Sequence, residues 1–145
     1  MTPPERAEFK QYISLAVRWG DADMLGHINN VKFFTYSEQA RMQYFDALSA
    51  EDPRFFKDYG LIVASTACDF LAQLHYPAQL DIGMRIERIG RTSMQARVGM
   101  FMGERAIAVA SCAIVWFDYQ QQKALPIPEH VRAWIRGREH VAPIE

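Results

Sequence analysis

Val17-Arg18-Trp19-Gly20-Asp21-Ala22-Asp23-Met24-Leu25-Gly26-His27-Ile28-Asn29-Asn30 is the stretch on which the reading of this chain turns. Running into it, Tyr12 to Trp19 carries the β-branched and aromatic content of a short strand. After it, apolar residues recur at helical spacing. The stretch itself brings together two carboxylates, a glycine pair, a histidine and two asparagines. That is more polar equipment than a strand-to-helix connection needs. Either Asn29 or Asn30 suits an N-cap, whose side chain accepts from an otherwise unpaired backbone N–H.

The helix is expected to run from about Asn30 to Leu48. Phe33, Tyr36, Ser37, Ala40, Tyr44, Ala47 and Leu48 share one arc, with Phe34 and Phe45 on its flank. Lys32, Glu38, Gln39, Gln43 and Asp46 fall on the opposite arc. Ser37 and Ala40 are small, which lets a sheet approach closely. Arg41 breaks the pattern by projecting from the apolar side. A buried guanidinium requires an acidic or carbonyl partner, or a subunit interface, and Asp69 is one candidate.

Working outward, Asp52-Pro53 is expected to open a short helical turn through Phe55, Phe56 and Tyr59, with Gly60 ending it. Four strand-like runs follow. Leu61 to about Tyr76 is long and interrupted at Pro77. Leu80 to Glu87 alternates, as do Met94, Ala96, Val98, Met100 and Met102; Arg105 to Tyr119 is apolar on both faces. The methionines read as sheet core rather than a lipid slot. Pro128 opens a terminal helix with Val131, Trp134 and Ile135 on one face and Gly137 able to end it. One long helix, then four strands on short links, implies an α+β fold with an antiparallel sheet around the helix.

The totals agree. A chain of 145 residues, half of them hydrophobic, is expected to form one domain spanning 1–145, with residues 1–9 a loose tail. A net charge of -1 gives no support for nucleic-acid binding. No stretch suits membrane insertion or a signal peptide, so the cytoplasm is the expectation. Cys68 and Cys112 sit in apolar runs and read as reduced thiols. His75, His130 and His140 show no ligand spacing, so neither a metal nor a cofactor is expected.

Asp21-Ala22-Asp23-Met24-Leu25-Gly26-His27-Ile28-Asn29-Asn30, with Phe33-Phe34 and Glu38-Gln39-Ala40-Arg41 after it, resembles the 4-hydroxybenzoyl-CoA thioesterase family of hotdog-fold proteins. Leu80 to Gly83 and Val115 to Tyr119 are similar to that family too, so the resemblance covers about Tyr12 to Arg136. It implies a five-stranded antiparallel sheet wrapped around the long helix. It also implies homodimers or homotetramers with active sites at subunit interfaces, acting on acyl-CoA. The family's catalytic aspartate matches Asp23, and its oxyanion-binding amide falls near Asn29 and Asn30. Asn30 stands where some related thioesterases carry a histidine, which puts a histidine-assisted scheme in doubt here. Arg91, and after it Arg88, match the basic residues that meet the CoA phosphates.

Thioester hydrolysis needs a carboxylate to attack the carbonyl or activate water, and donors aimed at the developing oxyanion. A helix N-terminus without acids in its first turn supplies such donors. Asp21 reads as structural, accepting backbone N–H bonds. His27 serves equally well as an organiser of the loop or as a group beside the thioester. A non-catalytic acyl-binding module, or an enzyme acting on a carrier-protein thioester, would use the same fold.

Overall fold

The structure, a computed structural model, describes all 145 residues. It is the hotdog fold: a curled antiparallel sheet around a long helix, with a second helix at the C-terminus. Strand β1 is Gln11–Ala16 and helix α1 is Asn30–Glu51. Strands β2 (Tyr59–Phe70), β3 (Gln79–Ile89), β4 (Ser93–Met102) and β5 (Arg105–Asp118) follow. The two-residue strand β6 is Lys123–Ala124, and helix α2 is Glu129–Arg138. The main sheet runs in the order β1-β3-β4-β5-β2, every pairing antiparallel, with β6 adding to β5.

Helix α1 forms where the spacing predicts it and lies in the curl. Phe33, Tyr36, Ser37, Ala40, Tyr44, Phe45 and Leu48 are buried. Phe45 is fully buried rather than flanking, whereas Ala47 is exposed and the helix continues one turn beyond Leu48. Each large apolar side chain taken into this core contributes about 1.5–3 kcal/mol. Arg41 finds an acid one turn back on its own helix, Glu38, at 3.7 Å, and also reaches the Cys112 sulfur at 3.7 Å. Asp69 is not its partner; that carboxylate pairs with the chain's amino terminus at 2.7 Å.

The connection after α1 differs from expectation. It is a non-helical turn, and Tyr59 and Gly60 already belong to β2. Asp52 closes the helix and organises the turn, accepting from the Arg54 amide and the Tyr59 hydroxyl. Gly60 ends no helix. A Cβ there would fall 2.5 Å from the Tyr119 hydroxyl, which bridges the N–H and carbonyl of Leu61. In α2, Pro128 is the N-cap and Gly137 lies inside the helix, with Val131 and Ile135 buried.

The segment expected to be a loose tail is packed. Pro4 and Phe9 are buried, and β4 is consequently covered on both faces from Ala96 to Phe101. Arg97, an outward position by alternation, is 7% exposed because Glu8 pairs with it at 2.9 Å and the Thr2 and Pro3 carbonyls accept from it. Gly83 on β3 and Gly99 on β4 face each other in register and make the seat for the Phe9 ring. A Cβ on either would lie within 2.7 Å of that ring's atoms. Gly99→Ala should therefore displace Phe9 and destabilise the fold by about 1–3 kcal/mol, read as a lowered Tm in a thermal melt. An unchanged Tm would show that the ring is not seated there in solution.

Candidate active site

Residues 17–30 leave β1 and enter α1 through a loop stitched at several points. The Val17 amide donates to the Ala78 carbonyl, Ile28 to Leu74 and Asn29 to Asp21. The Tyr76 amide donates back to the Gly26 carbonyl, and Gly26 takes the positive φ of +80° that the turn requires. The loop is thus tied to the segment between β2 and β3. That segment was expected to be the end of a strand reaching Tyr76. It leaves the sheet after Phe70 because the Leu71 and Ala72 amides both turn to the Ile107 carbonyl.

The two carboxylates of the loop have different duties. Asp21 is buried at 9% exposure and accepts from the Arg18 amide at 3.0 Å and the Tyr36 hydroxyl at 2.7 Å, with Lys32 at 3.8 Å. Burial alone would raise its pKa. The Tyr36 and Arg18 hydrogen bonds and the Lys32 charge outweigh that and hold it below the ordinary value. Asp21 fastens the loop to α1, in keeping with its structural reading.

Asp23 is exposed at the mouth of a cleft. Its Oδ1 accepts from the Leu25 amide at 2.9 Å and the His27 amide at 3.1 Å. Its own amide donates to the His27 carbonyl at 2.8 Å. The other carboxylate oxygen, Oδ2, accepts nothing within the chain and is free to meet a substrate or water.

Asn29 is the N-cap of α1, its Oδ1 accepting from Val31 at 3.1 Å. The Asn30 amide next to it donates to no group of the chain, and the first turn holds no acid. That leaves one unspent N–H at the positive end of a 22-residue helix. Asp23, His27, Asn29 and Asn30 line a single cleft of about 530 Å³. Buried Ile28, Phe33 and Leu74 form its floor, and Phe70, Leu71 and Gln73 its opposite wall. The His27 ring packs against His75 with centroids 4.5 Å apart. This opposite wall, and the place of His75 beside His27, went unread in the sequence, where Leu61 to Tyr76 passes for one apolar strand.

Arg91 and Arg88 do not reach this cleft within one chain. Arg91 sits in the turn between β3 and β4, where its carbonyl accepts from Ile127. The cleft lies beyond the other end of β3, an 11-residue strand that spans on the order of 30 Å. Arg88 lies near Arg91, beside the C-terminal residues Val141, Ala142 and Ile144. Neither cysteine is set up as a nucleophile. Burial, helped by Asp69, pushes the Cys68 thiol up to about 11, and burial also raises Cys112 despite Arg41.

Comparison with known proteins agrees with the fold. A family model, the thioesterase-like superfamily, matches residues 17–135. This chain belongs to the thioesterase-like superfamily. The PA5185 protein of Pseudomonas aeruginosa PAO1 superposes with a TM-score of 0.83 over 98% of this chain and 99% of its own, at 22% identity. A thioesterase from Thermus thermophilus, crystallised with coenzyme A and zinc, superposes with a TM-score of 0.78 at 27% identity, over 92% and 97% of the two chains. The uncharacterised YsmA protein of Bacillus subtilis is 33% identical over 89 residues, which are 61% of this chain and 59% of that protein. No helix is long and apolar enough to cross a membrane.

Asp21→Ala strips Tyr36 and the Arg18 amide of their acceptor and should cost about 1–3 kcal/mol at neutral pH. Because the folded carboxyl sits below its ordinary value of 3.8, its contribution is complete above that value. It fades as pH falls through the lowered folded value. Denaturant melts at pH 7 and in that acid window should show the gap between wild type and variant closing. A gap that stays constant with pH would rule out this role for the carboxylate.

Proposed function

We propose that this chain is an acyl-CoA thioesterase, hydrolysing an acyl-CoA to the free acid and CoA. One observation carries the reading: in a member of the thioesterase-like superfamily, Asp23 with its free Oδ2 and Asn30 with its unspent amide line one cleft at the start of α1.

The carbonyl oxygen of the thioester rests on the Asn30 amide, and charge developing there is met by the helix terminus. Asp23 acts as general base or as nucleophile. As a base it takes a proton from water while the water oxygen attacks the carbonyl carbon. Collapse of the tetrahedral intermediate breaks the C–S bond, and the departing thiolate recovers the proton. As a nucleophile it forms a mixed anhydride that water then opens, with the same products. In both routes the Leu25 and His27 amides hold the carboxylate in one orientation. His27 contributes chiefly through its backbone, and Asn29 by capping the helix so that Asn30 presents its N–H.

A second copy of the chain completes the site in this reading. β2 is an edge of the sheet and exposes Ile62, Val63 and Phe70 at 38–42%, with Leu71 just past its end at 39%. Such an edge invites pairing with another strand. Antiparallel pairing of two β2 strands brings the Tyr59 end of one copy beside the Phe70 end of the other. The Tyr59 end of β2 pairs with the Asp118 end of β5, whose neighbour is the start of β4, where Arg91 turns. Arg91 would thus approach the CoA phosphates from across the dimer, with Arg88 farther off.

Asp23→Asn should lower kcat/KM about 10²–10⁴-fold on any acyl-CoA that wild type hydrolyses, by assay of released thiol. Activity equal to wild type removes Asp23 from the chemistry. Arg91→Ala should raise KM for the CoA ester about tenfold and leave that for a thioester lacking the phosphates unchanged. Sedimentation should give a dimer or tetramer, and a monomer at assay concentration overturns the shared site.

A further inference from the structure

Asp23 borders two clefts. Besides the one along α1, it walls a second of about 500 Å³, lined by Trp19, Gly20, Ala22, Met24, Gly26 and Tyr76. Trp19 is 78% exposed, Met24 fully so and Tyr76 42%. None of the three belongs to the core or packs against it. A lone exposed apolar side chain is ordinary. Three large ones gathered around a cleft that shares a wall with the candidate base leave apolar surface in water with no return in folding.

We propose that this second cleft receives the hydrocarbon portion of the acyl group, and that it selects bulky apolar acyl groups, aryl or medium-chain, over acetyl. The inference rests on the thioesterase reading. A thioester carries its reacting carbon between two unlike halves, so the group acting on that carbon needs room on two sides. Asp23 has it.

The halves make different demands. The thiol arm of CoA contains amides, which must find hydrogen-bond partners when they leave water. The cleft along α1 supplies them: Asn29, Asn30 and Gln73 stand at its rim, above a floor of buried apolar residues. That cleft also opens on the β2 edge, the side from which the partner's basic turn would come. The second cleft offers fewer polar side chains. Its side chains are apolar save for Asp23 and the Tyr76 hydroxyl, and its Gly26 carbonyl is already taken by the Tyr76 amide. Hydrocarbon asks for no partner, and the faces of Trp19 and Tyr76 suit a flat ring or a chain.

The test compares wild type with Trp19→Ala, Tyr76→Ala and Trp19→Phe on acetyl-, butyryl-, decanoyl- and benzoyl-CoA. The quantity read is the ratio of kcat/KM for the preferred large acyl group to that for the smallest one turned over. Wild type should show a ratio well above one. Trp19→Ala and Tyr76→Ala should cut it at least tenfold, and Trp19→Phe should hold it within threefold. A ratio unmoved by both alanine variants, with every substrate falling together or none falling, overturns the assignment.

A second readout does not depend on turnover. Decanoate or benzoate titrated into the intact protein should quench tryptophan fluorescence saturably, and Trp19→Phe should abolish the change. Absence of saturable quenching with both acids overturns the cleft assignment even if hydrolysis is observed. Quenching without hydrolysis of any thioester keeps the cleft and removes the thioesterase reading instead.

Discussion

One carboxylate oxygen held by two backbone amides governs the geometry of this protein's candidate site. Asp23 Oδ1 gathers the Leu25 and His27 amides, and the Asp23 amide donates in turn to the His27 carbonyl. The loop is thereby folded on its own side chain, so the orientation of Asp23 and the path of the chain into α1 are one event. Asp21 does the same work one step earlier, binding the Arg18 amide and the Tyr36 hydroxyl on the helix. The two carboxylates look alike in sequence, and burial separates them. Asp21 spends its oxygens inward. Asp23 spends one and keeps one.

That division explains why so few residues suffice to build the cleft. With Asn29 fixed by its amide on the Asp21 carbonyl, its side chain can cap only α1, and the next amide is left over. An unspent donor at a helix start costs little where water reaches it, and Asn30 is exposed. The same exposure keeps it available to a ligand. Under the proposed function, stability and reactivity depend on the same hydrogen bonds, so substitutions that loosen the loop should damage both.

Much of this was legible from residue order. Helix α1 showed through its 3.6-residue period and its cap, β3 and β4 through alternation, and the candidate cleft through polar residues crowded at a helix start. Legibility failed wherever a distant group decided the local outcome. Gly60 has the local logic of a helix stop, yet it serves the Tyr119 hydroxyl 59 positions later in the chain. Arg97 alternates outward, but Glu8 and the Thr2 carbonyl bury it. Phe9 looked like tail because its seat, Gly83 and Gly99, belongs to two other strands and consists of missing side chains. The cleft's second wall was hidden because nothing local marks Phe70 as the end of β2; the Ile107 carbonyl does that by capturing two amides.

The coverage of the sheet then limits what can complete the site. Helix α1 fills the inner face, and residues 1–9 cover part of the outer one. The far end of β3 is closed by the chain's own terminus: Ile144 pairs with Glu87 and Ile89, and Glu145 is clamped by Arg132 and Arg136. Open surface next to Asp23 consists of the two clefts that share it, and the first of these runs out to the exposed β2 edge. A CoA thioester is too long for either cleft alone, and its phosphates want cations that the cleft mouth lacks in one chain. Arg91 lies at the opposite end of the sheet. Antiparallel pairing across β2 is the arrangement that turns that distance into proximity, because it sets unlike ends of two sheets side by side. Under the proposed function, a site shared between two copies is what reconciles the separation of Asp23 from Arg91 within one.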